Sequence, residues 1–374
     1  MGQGNGQAVC CVTIFTTKNF LENNFMSTTA NPSEIDRALL DADEPDTVRL
    51  TVDDARALGE TAVQRIGYTA EEARIVVDQL IDNMLCGYKF AGLPRILAMA
   101  GDEKIKLDRT PIKVVKETPV SALMDGGNHI GYVTCYHAAQ KAIEKAKTHG
   151  ICCVGVYNTY YSGRNAYFVE QIVKAGYIAM HTASNKPRVV PPGATIPALG
   201  TNPICFGFPS EEGPITFDIG TAALMWGDVM LHAHLNQPLP EGVGFDENGT
   251  PTRDAAATLR GGVAPFGGKD YVYKGYGLSF AIQALGLLAG SAIIRDDVLD
   301  YGFLFWAVNP EIMLPGNDFK QRMSQYVREM KALPKQPGVN EIRIPSERAS
   351  RERERRLVEG VVVKRKVIES LKAL

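Results

Sequence analysis

Residues Ala142–Asn158 read AIEKAKTHGICCVGVYN, and this stretch decides the fold class. Its first half closes a helix predicted over about 134–148, with Lys147 and His149 as the basic residues that favour a helix C-terminus and Gly150 as the stop. Its second half, Cys152–Tyr157, is a short β-rich apolar run. The same grammar continues on both sides. Ile112–Val115 precedes it, Ile204–Phe208 and Ile215–Asp218 follow, and a second helix over about 165–175 ends at Gly176 behind Lys174. Helices interleaved with short strands make the middle of the chain α/β.

Upstream, Thr51 with Asp54 and Thr69 with Glu72 form two capping boxes. The first opens a helix that carries Ala55, Leu58, Ala62 and Ile66 on one stripe and stops at Gly67. The second opens a helix with Ile75, Val76, Leu80 and Met84 on its stripe, with Gln79 and Asn83 at the edges, running to about Leu85. Two helices across a glycine invite comparison with a DNA-reading pair. Asp53, Asp54, Glu60, Glu71, Glu72, Asp78 and Asp82 against three arginines would repel phosphates, so a packing lobe is the better reading. Tyr276 to about Gly290 reads as one buried helix, and the Gly-, Pro- and Asp-rich stretch Pro238–Gly268 as surface loops. Ser346–Arg356 (SERASRERERR) pairs Glu347 with Arg351 and Glu352 with Arg356, a solvated helical face.

The chain has 374 residues, 45% apolar and 22% charged, enough for a large core. A formal net charge of −2 gives no global field toward nucleic acid or an anionic membrane. The longest apolar run, Leu278–Ile294, is broken by Gln283, Gly286, Gly290 and Ser291, so no membrane span is expected. Seven cysteines without a CxxC pair suggest neither a zinc site nor a disulfide framework, and a reduced cytoplasmic protein is expected. His232 and His234, two apart, would share a metal only on a strand with a third ligand, and no metal is expected.

No GxGxxG follows a strand and no GxxxxGK[ST] occurs, which excludes the usual Rossmann and P-loop phosphate cradles. Glycine and proline cluster instead in Pro191–Gly193, Leu199–Pro203, Pro265–Gly268 and Lys274–Gly277. These clusters carry the resemblance. In order along the chain come Asp125–Gly131 (DGGNHIG), AIEKAKTHGICCVGVYN, VVPPG from Val189, Leu199–Pro203, Asp218–Ala222, PFGG, KGYG and Ile344–Glu347. From about Thr51 onward the sequence resembles the malate/L-lactate dehydrogenase family of non-Rossmann NAD(P)-dependent oxidoreductases.

The resemblance implies an α/β fold of that non-Rossmann type, with a central mixed-sheet cofactor domain and a helical lobe built from both termini. Its expected segments are 1–45, an extension without fixed structure; 46–115, N-terminal helical part; 116–295, central domain; and 296–374, packing with the N-terminal lobe. A homodimer and NADH or NADPH are implied with it. Cofactor contacts carry over to Tyr161, Asn185, Thr201, Asn202, Asp218, Thr221 and Lys274, although Asn and Asp also cap turns.

The departures from the family pattern are more informative. Where the family has Gly-x-x-Ser-His-Gly-x-x-Arg, this chain has Gly87–Arg95, keeping the substrate-gripping arginine as Arg95 but placing Phe90 and Ala91 where serine and the acid/base histidine stand. A second pocket histidine has become Tyr161 in Asn158–Gly163, followed by Arg164, and Lys186 precedes VVPPG. A tyrosine delivers a proton when a nearby cation stabilises its phenolate. Tyr161 with Lys186, or with Arg164, would form such a pair, against the alternative that Tyr160 and Tyr161 simply pack a wall. Tyr88, Phe90, Tyr160 and Arg164 join Arg95 as substrate-contact candidates. The expected activity is hydride transfer to or from a C=O or C=N carbon of a small carboxylated substrate. The competing expectations are a retired cofactor-binding dimer, or C=C reduction or a cofactor-independent reaction on the same scaffold.

Overall fold

In a computed structural model of the protein, residues 46–292 and 301–374 are described, the side chain of Phe90 excepted. The expectation for residues 1–45 lies outside them. The architecture below is that of the unit formed by residues 44–334 and 341–374. Residues 335–340 belong to a separate unit, in which Val339 N–H donates to Gln336 O (3.0 Å).

After strand β1 (Thr47–Leu50), both capping threonines start helices. Thr51 Oγ1 accepts from Asp54 N–H (3.0 Å) at α1 (Val52–Arg65). At α2 (Ala70–Leu85) the box is reciprocal, with Glu72 N–H donating to Thr69 Oγ1 (3.3 Å) and Thr69 N–H to Glu72 Oε2 (2.8 Å). Such caps satisfy N–H groups that a helix start leaves open. Gln79 and Asn83 are not edge residues: both are fully buried. A 3-10 turn at Lys89–Ala91 leads into α3 (Pro94–Ala100).

The central sheet begins with β2 (Lys113–Thr118) and β3 (Ser121–Ile130), then α4 (Gly131–His149), β4 (Ile151–Tyr160), α5 (Asn165–Lys174), β5 (Ile178–Ser184), β6 (Ile204–Ser210) and β7 (Gly213–Ile219). Gly150 ends α4 in the left-handed region (φ 79°), as expected of a C-terminal glycine. Next come α6 (Trp226–His234), β8 (Gly244–Phe245), β9 (Pro251–Thr252), α7 (Ala255–Arg260) and β10 (Gly262–Val263). The stretch read as loops thus holds a small three-stranded sheet and a helix. His232 and His234 lie on α6, not on a strand, and His232 Nδ1 is 3.1 Å from Pro238 O. Two positions apart on a helix they do not share a face.

α8 (Gly268–Leu288) starts earlier than predicted and is not buried all round. Its buried residues are Gly275, Ser279, Ile282 and Gly286, with Gly275 against the backbone of Phe266 and Gly286 against Ser184 of the sheet. At Gly286 a Cβ would fall 2.5 Å from Ser184 Cβ, so the helix lies close and turns its large side chains outward. Phe280 is 60% and Leu288 62% exposed.

β11 (Gly302–Val308) then enters the middle of the sheet, giving the order β2-β3-β4-β11-β5-β6-β7. It runs antiparallel to both β4 and β5, whereas β3 and β4 are parallel and are joined through α4. The division expected at 295/296 therefore does not follow the sheet, and the one at 115/116 falls inside β2. His181 of β5 is buried in this core, stacked on Phe305 of β11 at 3.9 Å and 6°, with Nδ1 3.1 Å from Leu304 O.

α9 (Asp318–Ala332) precedes α10 (Glu347–Glu359), β12 (Val361–Lys364) and α11 (Arg365–Ala373). β12 pairs antiparallel with β1, α11 packs on α1, and Arg356 Nη1 from α10 donates to Met84 O at the end of α2 (2.7 Å). Among the described residues no helix is long and apolar enough to cross a membrane.

Candidate active site

The parallel pair β3/β4 is the only one in the described sheet, and its carboxyl ends deliver the residues of interest. Ligands of open α/β sheets bind beyond such ends. β3 runs into Gly131 and Tyr132 at the start of α4, while β4 runs into Tyr161. Asp125 Oδ1 ties the two exits together, accepting from Gly127 N–H (2.9 Å) and from Asn158 Nδ2 (2.7 Å).

Tyr161 has φ 45°, a left-handed backbone that is unfavourable for an aromatic residue. The loop after it is fitted against α4: at Gly163 (φ 75°) a Cβ would lie 2.7 Å from Tyr132 Cε1 and 2.8 Å from Gln79 Nε2. The guanidinium carbon of Arg95, from the first turn of α3, lies 3.7 Å from the Tyr161 ring centroid. Tyr132 meets the same ring edge-on, centroids 5.7 Å apart. Burial pushes the Tyr132 phenol well above its ordinary range; the neighbouring Tyr161 adds to this and Arg95 opposes it. Tyr132 Oη and Arg95 Nε are buried and make no hydrogen bond of good geometry. Arg95, Tyr132 and Tyr161 thus converge with buried polar capacity unspent.

Tyr132 escaped sequence reasoning. The only signal was an aromatic residue directly after Asp125–Gly131, at a helix start. The other candidates divide. Tyr160 is 2% exposed in the helical core, the same cluster against which Tyr161 packs. Its role as a substrate contact is corrected to packing beside Tyr68. Arg164 is also corrected: its guanidinium is paired with Asp82 and Glu170, the same two carboxylates that Arg353 of α10 engages at 2.8 and 2.7 Å. Two partly buried cations set against Asp82, also partly buried, and the buried Glu170 form a structural knot. Tyr88 is exposed, with the guanidinium carbons of Arg164 and Arg348 5.9 and 5.5 Å from its ring centroid. Phe90 lies in the 3-10 turn, and the expectation for its side chain falls outside the described residues. Arg95 lies over the Tyr161 ring, and Lys186 lies half-buried in the bend after β5.

Four of the expected cofactor residues are knitted together. Asn185 Oδ1 accepts from Thr201 N–H (3.1 Å) and its Nδ2 donates to Thr201 Oγ1 (3.3 Å), while Thr221 Oγ1 donates to Thr201 O and Asn202 O (both 3.1 Å). Asn202 sits at φ 34° and donates to Ser279 O and Gln283 Oε1 of α8 (both 3.1 Å), leaving its buried Oδ1 without a partner. Asp218 accepts from Ala166 N–H (2.8 Å) at the start of α5. Its surface is open, yet protein surrounds it closely enough that desolvation pushes its carboxyl up to about 6, against the pull of that N–H and Arg164. Lys274 is exposed on α8, its ammonium 4.9 Å from the Tyr271 ring centroid. Among the described residues no group of three or more ligands could hold a metal ion.

Comparison with known proteins agrees with this architecture. The family model described as malate/L-lactate dehydrogenase matches residues 50–372. A malate/(S)-sulfolactate dehydrogenase of Methanothermus fervidus is 30% identical over 336 residues, covering 87% of this chain and 96% of the relative. A Delta(1)-pyrroline-2-carboxylate/Delta(1)-piperideine-2-carboxylate reductase of Pseudomonas aeruginosa is 29% identical over 344 residues, 87% and 99% of the two chains. The crystal structure of malate dehydrogenase from Entamoeba histolytica superimposes with a TM-score of 0.80 over 87% of this chain and 97% of that one; at 24% identity it speaks for the fold alone. Match and architecture together place this chain in the malate/L-lactate dehydrogenase family, as an NAD(P)-dependent oxidoreductase.

Proposed function

We propose that the protein uses NADH or NADPH to reduce a C=O or C=N carbon of a small carboxylated substrate, with Arg95 holding the carboxylate and Tyr161 supplying the proton. The observation that carries this reading is Arg95 stacked 3.7 Å from the Tyr161 ring, on a backbone strained at φ 45°. The bound nicotinamide supplies a hydride. Tyr161 Oη then gives its proton to the oxygen or nitrogen of the reduced bond, and the phenolate left behind faces the fixed charge of Arg95 until solvent reprotonates it. Burial keeps the Tyr132 phenol protonated beside the Tyr161 ring. Arg95, stacked on the ring, serves as the electrostatic partner of the acid.

The residues present fit a nicotinamide cofactor. The Asn185–Thr201–Asn202–Thr221 knot offers an unpartnered buried acceptor, Asn202 Oδ1, in a turn where a Cβ on Gly200 would sit 2.5 Å from that same oxygen. Asp218 and Lys274 would complete its contacts. The relatives named for malate, sulfolactate and cyclic imino acids support a carboxylated substrate. The free thiols at Cys86, Cys135, Cys152, Cys153 and Cys205 support a reducing, cytoplasmic setting. A homodimer is proposed through the outward apolar face of α8.

The test is turnover of a panel of 2-oxo acids and cyclic imines by wild type and Tyr161→Phe, with NADH and NADPH binding measured by fluorescence. Loss of about 10²–10⁴ in kcat with cofactor affinity retained is expected. Full activity in the variant overturns the assignment of the acid. Cofactor binding by wild type without turnover of any compound in the panel would favour the retired dimer.

A further inference from the structure

Arg95 and Tyr161 come from separate segments, and α2 lies behind both. Gln79 and Asn83, one turn apart on that helix, place fully buried amides on its packed face. Gln79 Nε2 donates to Ser162 O (2.9 Å) and Arg164 O (3.1 Å), so it grips the Tyr161 loop alone. Asn83 reaches both segments. Its Nδ2 donates to Ala91 O (3.0 Å) in the turn before Arg95, and its Oδ1 accepts from Arg164 Nε (3.0 Å) in the loop after Tyr161.

We infer that Asn83 is a positioning residue that sets the geometry of the Arg95–Tyr161 pair by bridging the two segments that carry it; this rests on the reading of that pair as the reacting centre. The chemistry of the side chain fits the task. An amide holds a donor and an acceptor in one plane, a carboxylate offers acceptors alone, and leucine neither. No water replaces the lost bonds at a fully buried position, so each change leaves a named group unpaired. The platform itself is held: Asp82, beside Asn83, is engaged by Arg164 and Arg353, and the carbonyl of Met84 by Arg356. A residue on a clamped helix, bonded to both segments, is placed to fix their spacing, and a misplacement of about 1 Å costs on the order of 10²-fold in rate.

The experiment compares wild type, Asn83→Asp, Asn83→Leu and Tyr161→Phe by amide hydrogen exchange and steady-state kinetics. Asn83→Asp keeps the acceptor for Arg164 and loses the donor to Ala91. Faster exchange confined to residues 88–95 is expected, with kcat/KM down about 10²-fold, KM for the carboxylated substrate raised and cofactor affinity unchanged. Asn83→Leu loosens residues 88–95 and 162–166 together. Wild-type exchange and kinetics in Asn83→Asp, or cofactor affinity falling in step with turnover, would overturn the proposal. Failure of the reaction assignment shows differently: Tyr161→Phe then matches wild type, while the exchange pattern of the Asn83 variants still reads the bridge.

Discussion

At Tyr161 a bulky ring is carried on a left-handed backbone, a conformation costing on the order of 1–3 kcal/mol that surrounding contacts must sustain. Those contacts run through Gly163, where neither the φ of 75° nor the space before Tyr132 Cε1 (2.7 Å) admits a side chain. Gly163→Ala is therefore expected to cost about 2 kcal/mol or more in a denaturant titration and to lower kcat beyond what that instability explains. An alanine variant as stable as wild type would show the loop to be freer than it looks. The residue-level resemblance located Arg95 and Tyr161 by motif. Their contact was not legible, because Arg164 and Lys186 are nearer in sequence while Arg95 arrives through the fold. Asn83 and Gln79 were hidden for a related reason: a polar residue beside an apolar stripe reads as an edge until its partners, some 80 residues away, are in place.

Among the elements, β5 and β11 place His181 face to face with Phe305 in the densest part of the sheet. Burial pushes this imidazole down to about 3, from an unfolded value near 6.5, so the folded state holds it neutral. Below about pH 6.5 the unfolded chain gains a proton that the folded chain refuses. Stability is thus full above that pH and is lost as pH falls from there toward 3. Asp218, raised to about 6, acts with the opposite sign as it protonates. The expected result is that His181→Leu flattens the acid limb of a denaturation midpoint measured from pH 7 to 4; an unchanged slope would assign the acid sensitivity elsewhere. Element boundaries were legible where the signal is local: the threonine caps of α1 and α2, and the glycine stops of α4 and α5. β11 was passed over although Gly302–Val308 reads GFLFWAV, since a short apolar run does not announce which two strands it will separate.

For the whole molecule, α8 is the informative feature, a largely apolar helix that buries Gly275, Ser279, Ile282 and Gly286 and shows aromatic and leucine side chains to the outside. An outward apolar face of this kind is covered in the functional protein, here by a second copy in the proposed dimer. Phe280→Glu together with Leu288→Glu is expected to shift the mass seen by light scattering from dimer to monomer with the monomer still folded; an unchanged mass would place the contact elsewhere. The sheet carries a different consequence, one in time. Strands emerge from the ribosome in chain order, yet β11, which stands between β4 and β5, pairs with Ser184 from a position 118 residues further on. Until it is made, β4 and β5 each lack the neighbour that separates them in the finished sheet. The sheet therefore cannot close before residue 308 has been synthesised, and a chain cut short before Gly302 is expected to lose the link between β4 and β5.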